Sequence, residues 1–335
     1  MNNTILLAFL ACLSLHAASA QTIYVKQNAT GDGSSWQNAL GDLQQALAIA
    51  TPNTEIWVAE GTYYPTQCAT CTDADRSVSF TIPSKVRVLG GFKGNESREG
   101  QRNWKKHVTT LSGNIGQPGH ADNSYTVVYT KNADKSTVVD GFVIAHGQAD
   151  GHATPGDAAR SGAGWYNEGA GHGNKSNPFI MNCLFLENYA IEGAGLFNNG
   201  TGGEASPVLV SCVFSGNKSI YGGGGIFNNG AEGLSNPIIQ ECQFVNNRAA
   251  FGAGVFNACR GSMTEPYVDD CSFINNKAKV GGGLFYLGLA EEPMLRSSRF
   301  INNLSKDGED VFVMKGRTIP GKLLASVEAV EEARF

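Results

Sequence analysis

The sequence predicts an all-β solenoid: a single-stranded, right-handed parallel β-helix with an N-terminal helical cap. Three observations carry this. The phrase Cys-x-Phe-x-x-Asn starts at Cys183, Cys212, Cys242 and Cys271, and again at Ser298 with serine for cysteine, at spacings of 29, 30, 29 and 27 residues. A glycine block and an aliphatic–aromatic pair return at the same period and take up many of the 42 glycines. Helical spacing occurs near the start of the chain and then gives way to short strand-like runs. A fixed period of this length marks a solenoid, because one unit cannot bury its own apolar face. The right hand is the sense taken by parallel crossover connections.

Residues 1–20 read as a secretory signal peptide. Ile5 to Leu15 is an apolar run too short to span a bilayer, and Ala18-Ser19-Ala20 fits a small-residue cleavage site. No Lys or Arg precedes the run. Phe9-Leu10-Ala11 matches a lipobox poorly, so lipidation at Cys12 is the lesser reading. No later stretch is apolar for long enough to cross a membrane. The mature chain is expected to start near Gln21 and to be secreted.

Residues 21–160 are expected to form the N-terminal cap and the first coils. Ile23-Tyr24-Val25 is a short strand. Trp36, Leu40, Leu43, Leu47 and Ala50 share helical spacing, with Ser34 or Ser35 as N-cap and Pro52-Asn53 as a stop, so a helix is predicted over 36–50. Strands follow at 55–59, 78–82, 86–89, 126–129 and 138–144, separated by Gly, Asn and Pro. One helix followed only by strands reads as a plug on a β solenoid. A small α/β domain would need a second helix among the strands.

Residues 161–313 hold the regular repeats. Glycine blocks at 162–164, 193–195, 222–225, 252–254 and 281–283 lead into Trp165-Tyr166, Leu196-Phe197, Ile226-Phe227, Val255-Phe256 and Leu284-Phe285; a last pair is Val311-Phe312. Asn167, Asn198, Asn228 and Asn257 follow the first four pairs. Loops marked by Pro178, Pro207, Pro237, Pro266 and Pro293 come next, and then an aliphatic residue three before the Cys position: Ile180, Leu209, Ile239, Val268, Leu295. An offset of three breaks strict alternation, so a bend separates two short strands. Each unit thus holds about three strands and three turns, one coil of the helix. Roughly eight to ten coils would span ~40–50 Å at ~4.8 Å per coil. Phe185, Phe214, Phe244, Phe273 and Phe300 are expected to stack inside. Asn188, Asn217, Asn247, Asn276 and Asn303 are expected to stack at a turn, amide to amide, taking the left-handed backbone of the bend themselves. Residues 314–335 read as a C-terminal cap or tail, with Leu323, Leu324, Val327 and Val330 at helical spacing.

A net charge of −5 argues against a nucleic-acid partner. Eight cysteines in an exported chain would ordinarily imply disulfides. Cys183, Cys212, Cys242 and Cys271, however, occupy equivalent positions pointing the same way, whereas a disulfide needs converging Cβ vectors. They read as buried free thiols serving as small hydrophobes. Cys68 and Cys71 lie in a polar loop and can close a local bridge; Cys259 is left over.

With these residues in place, the chain resembles right-handed parallel β-helix proteins of the pectin-lyase-like fold, and more narrowly the exported β-helix proteins of Bacteroidetes. The run GDGSSWQNALGDLQQALAIA, then EIWVAEGTYYP, VRVLGGFKGNE, TTLSGNI and VVDGFVIAHG, matches that order of segments. The tetrapeptides GAGL, GGGI, GAGV and GGGL, paired with FLEN, FSGN, FVNN and FINN, are similar to those of chlamydial polymorphic membrane proteins. The resemblance implies a surface-exposed or periplasmic protein of a Gram-negative bacterium, and adhesion. The chain departs from the chlamydial proteins in lacking a recognisable outer-membrane barrel.

Few residues carry chemistry of their own. Gly171-His172-Gly173 resembles the Gly-His-Gly of polygalacturonases, but the upstream Asn-Thr-Asp is absent, so it reads as coincidence. Glu241 and Asp270 occupy equivalent positions in adjacent coils, and paired carboxyl groups are what glycoside hydrolysis needs; Ser211 and Ser297 hold the same position elsewhere, which reads as a solvated turn. Lys218, Arg248 and Lys277 stand six residues after the Cys position in three consecutive coils. Such a ladder suits an anionic polymer such as a uronic-acid glycan, or supplies a lyase base if a neighbouring cation lowers one lysine; the bland alternative is a solvated edge. No metal or cofactor is implied: His146 and His172 lack ligand spacing, and Asp32, Asp73 and Asp75 are calcium candidates without an EF-hand or repeat calcium motif. The expectation is an exported, non-catalytic surface protein binding a polysaccharide or cell-surface ligand, with a polysaccharide lyase or glycoside hydrolase as the alternative. Oligomeric state is not legible.

Overall fold

The computed structural model describes residues 21–65, 75–116, 119–259, 266–288 and 294–315. The expected signal peptide, the Cys68–Cys71 bridge and the expected C-terminal cap beyond Lys315 lie outside them; Met314 ends the last strand. The chain is an all-β parallel β-helix. One coil runs through Phe179–Met181, Leu184–Leu186, Tyr189–Glu192 and Leu196–Asn199, and the chain returns to the next coil at Val208–Val210. Stacking these strands gives a nine-stranded sheet one, eight-stranded sheets two and three, and a short fourth sheet of Gln148–Ala149, Tyr189–Glu192 and Lys218–Gly222. Nine strands in the longest sheet meet the expected coil number. Pairing is parallel, so equivalent residues sit one above another: Ile180 on Leu209, Phe185 on Phe214, Phe197 on Phe227.

Strands are two to six residues long here because the corners are set by single residues in left-handed conformation. Sheet one turns into sheet two at Gly141, Asn182, Ser211, Glu241, Asp270 and Ser297, all with φ between 44° and 83°. This corner accounts for the offset of three and splits the single strand expected at 138–144 into Val138–Asp140 and Phe142–Ala145. A second left-handed corner follows sheet two at His146, Glu187, Gly216, Asn246, Asn275 and Asn302. The stacked Asn residues do not take the left-handed bend expected of them. The residue before each stacked Asn takes the bend, and the stacked Asn turns its side chain into the interior.

The lumen is filled by aligned columns. Phe185, Phe214, Phe244, Phe273 and Phe300 stack with centroids 4.4, 5.0, 4.7 and 4.9 Å apart and rings within 9° of parallel, as predicted. Cys183, Cys212, Cys242 and Cys271 are buried and free, also as predicted, and Cys259 is likewise buried. Burial raises the pKa of the Cys212 thiol; hydrogen bonding to Cys242, with burial, raises that of Cys271. The glycine block is a packing requirement: a Cβ on Gly254 would lie 2.6 Å from Cδ1 of Phe273.

A second apolar cluster lies outside the lumen. Tyr129, Tyr166, Phe197, Phe227, Phe256, Phe285 and Phe312 form a column on the outer face of sheet three, with neighbouring centroids 4.5–5.8 Å apart. Ile220, Phe251 and Val280 cover it, so Phe197, Phe256 and Phe285 are at most 1% exposed. Both members of each pair from Trp165-Tyr166 to Leu284-Phe285 are therefore buried, one on each side of the sheet, while Val311 and Phe312 in the last strand are half-buried. The segment that covers the outer column is the one that carries the basic residues described below.

At the N-terminal end the helix is shorter than predicted. It spans Leu43–Ile49, and its N-cap is Asp42, whose carboxylate accepts from the Gln44 N–H at 2.8 Å. Residues 36–40 are otherwise engaged: Leu40 exchanges backbone hydrogen bonds with the open edge of the first strand, Leu40 N–H to Tyr24 O and Lys26 N–H to Leu40 O, both 2.9 Å. Trp36 packs instead with Trp57, Phe92 and Tyr24 on the outer face of sheet one. Leu43, Ala46 and Leu47 close the lumen.

Candidate functional site

The basic strip is built on the interior Asn column. Asn188, Asn217, Asn247, Asn276 and Asn303 donate each amide to the next, all at 3.0 Å. The carbonyls of Asn188, Asn217, Asn247 and Asn276 accept the backbone N–H of Lys218, Arg248, Lys277 and Leu304 at 2.8–2.9 Å. Buried side chains thus fix the spacing of the residues one step further on. Lys218 bridges Arg248, Arg248 bridges Lys277, and Lys277 bridges Leu304 in one parallel register. All three cations are exposed and lie on one face.

They border a groove of about 410 Å³. Its apolar lining comes from Tyr189, Ile220, Ala249, Ala250, Ala278 and Leu304, and two more cations, Lys279 and Lys306, complete the rim. Among the described residues no Asp or Glu lines it. Lys218 Nζ lies 5.7 Å from the Tyr189 ring centre. Burial and then the Lys306 charge lower the pKa of Lys279. Glu187 faces His146 at 3.7 Å and is 66% exposed. Like charges one coil apart repel by about 1 kcal/mol per pair even in water, so the strip gains from an anion. Sequence reasoning missed Lys279 and Lys306. Lys279 is legible as the second residue beyond Lys277; Lys306 is not, because its coil is shortened to 27 residues.

The acidic candidates stand differently. Glu241 and Asp270 occupy successive left-handed corners and are exposed. Ser211 Oγ donates to Glu241 Oε2 at 3.0 Å. Glu241 lines a second concavity, of about 610 Å³, and Asp270 does not. Among the described residues no cluster of three or more His, Cys, Asp or Glu is gathered as a metal site would require. Asp32 and Asp75 accept local N–H groups from Ser34 and Ser77, and Asp73 lies outside the described residues. His172 is exposed on a loop between two glycines with φ of 95° and 80°.

No protein-family model matches the chain, and no curated protein matches it. Among solved structures it is similar to pectate lyase Pel9A, with 13% identity over 84% of this chain and 78% of that one, at a TM-score of 0.32. It is also similar to the deglycosylated pectin methylesterase from Aspergillus niger, with 13% identity over 91% of this chain and 92% of that one, at a TM-score of 0.28. Likeness at this level says nothing of activity.

Proposed function

We propose that the protein is an exported β-helix that binds an anionic polysaccharide along Lys218, Arg248 and Lys277, without catalysing its breakdown. One observation carries the reading: five cations border a single groove, its lining is apolar, and no carboxylate of the described residues enters it. Carboxylate or sulfate groups would meet the rim, and the C–H faces of the sugar rings would meet Tyr189, Ile220 and Leu304. A polymer lying along the helix axis meets a charge at each coil, ~4.8 Å apart. Export and placement at the cell surface rest on residues 1–20 and on the repeat resemblance.

The test is a panel of polygalacturonate, alginate, dextran sulfate and uncharged dextran. Affinity should follow anionic charge and fall as salt rises, because exposed charges are screened over ~8–10 Å. The triple variant Lys218→Gln, Arg248→Gln, Lys277→Gln should lose that salt-sensitive binding while keeping its melting temperature. Equal affinity in the variant would reject the strip. Release of unsaturated or reducing ends by the wild type would replace this reading with the lyase or hydrolase alternative.

A further inference from the structure

A second concavity lies on a different face. Its floor is the outer side of sheet two, where Val143, Leu184, Val213 and Gln243 stack in successive coils. Its polar edge is the corner column Asn182, Ser211 and Glu241. Its wall is the segment carrying Trp104, Lys105 and Val108.

The wall is held from behind. The Arg102 guanidinium pairs with the Asp140 carboxylate, and the two side chains are only 8% and 5% exposed. Arg102 also donates to Gly90 O at 3.1 Å and lies 5.1 Å from the Trp104 ring centre. The Asn103 N–H donates to Gly91 O at 2.7 Å. Gly91 has φ +88°, and a Cβ there would come within 2.6 Å of the Trp104 backbone. The Asn182 amide donates to the other Asp140 oxygen at 2.8 Å. One buried carboxylate thus orients both the aromatic wall and the first polar group of the edge.

We propose that this trough is a separate binding site for a neutral pyranose glycan, lying along the helix axis with one ring against Trp104. Ligand sites combine apolar surface with a few convergent polar groups, and this trough has both. The half-buried Trp104 and the floor of Val143, Leu184 and Val213 offer flat apolar surface to the C–H face of a sugar. The edge offers hydroxyl, amide and carboxylate groups, which both donate to and accept from sugar hydroxyls. Charge favours a neutral ligand: Lys105 and Glu241 supply one charge of each sign, in contrast to the five cations of the other groove. The coil repeat of ~4.8 Å is close to the length of one sugar residue, so successive residues meet equivalent corner positions.

The mature protein is titrated with cellohexaose, xylohexaose and mannohexaose, read by calorimetry and by tryptophan emission. At least one should bind saturably, with affinity insensitive to salt. Trp104→Ala should weaken it at least about tenfold, or about 1.4 kcal/mol. Gln243→Ala, at an exposed position that leaves the wall intact, should weaken it several-fold. The Lys218, Arg248, Lys277 triple variant should bind these hexaoses as the wild type does, and Trp104→Ala should bind polygalacturonate as the wild type does, so failure of either groove is read independently. Binding of none of the three hexaoses would overturn the proposal. So would affinity unchanged in both single variants, or trough binding restricted to polyanions or peptides.

Discussion

One Asn247 side chain makes four hydrogen bonds. It donates to Phe214 O at 2.8 Å and Asn276 Oδ1 at 3.0 Å, and its oxygen accepts the N–H and the amide of Asn217, both at 3.0 Å. Asn247→Ala leaves buried donors of Asn217 without an acceptor, so the expected loss is about 3 kcal/mol at one to three per orphaned group. Its neighbour Asn246 sits at φ 57° on the surface. Asn246→Gly should change stability by under ~0.5 kcal/mol, because glycine takes that backbone freely. Urea titration of the pair separates ladder from corner; similar losses in both would refute the division of labour. Phe244→Ala, from the stacked column, should cost ~3–5 kcal/mol. The sequence shows these columns because a period aligns them. It hides the corners, because Glu187, Ser211, Glu241 and Asp270 occupy left-handed positions that residue preference alone would assign to Gly or Asn.

The N-terminal helix shows where local pattern yields to tertiary need. Trp36 and Leu40 share helical spacing with Leu43 and Leu47, yet the open edge of the first strand takes Leu40 as a hydrogen-bonding partner and the aromatic cluster takes Trp36. Only the last two turns remain helical. Leu43→Asp with Leu47→Asp buries charge at the mouth of the lumen and should expose an edge that associates. Light scattering should show aggregation, and a monomeric double variant would count against a capping role. Among the loops joining sheet three to sheet one, Glu204 accepts from Lys175 Nζ at 2.8 Å and from the Asn177 amide at 2.7 Å. Partial burial works against its ionisation, but Lys175 and Asn177 outweigh burial and lower its pKa below the ordinary 4.5. A carboxyl lowered by folding adds stability above 4.5 that is lost as pH falls through the folded value. Glu204→Gln should therefore lower the melting temperature at neutral pH and leave it unchanged well below 4.5. A deficit of equal size at both pH values would point to lost packing instead.

Across the whole molecule, the four stacked thiols report on global integrity. Cys183, Cys212, Cys242 and Cys271 are at most 1% exposed, so labelling should be negligible in the folded protein and appear for all four over one denaturant range. Early labelling of Cys271 alone would mean that the coils open one at a time from the C-terminal end. The architecture is readable from the chain because a period repeats its evidence in every coil. The grooves are not, because each depends on segments outside the repeat: the Trp104 wall on one face, the shortened last coil on the other. The Asn column has a further consequence. Its amides join head to tail, donors all toward the C-terminal end, in register with the stacked rings and the three long sheets. A gain or loss of part of a coil would break every column together, whereas a whole coil removes one rung from each and reconnects the rest. The length of this molecule is therefore quantised in steps of about 30 residues. Excising 212–241 should yield a shorter folded rod, while excising half as much should yield none.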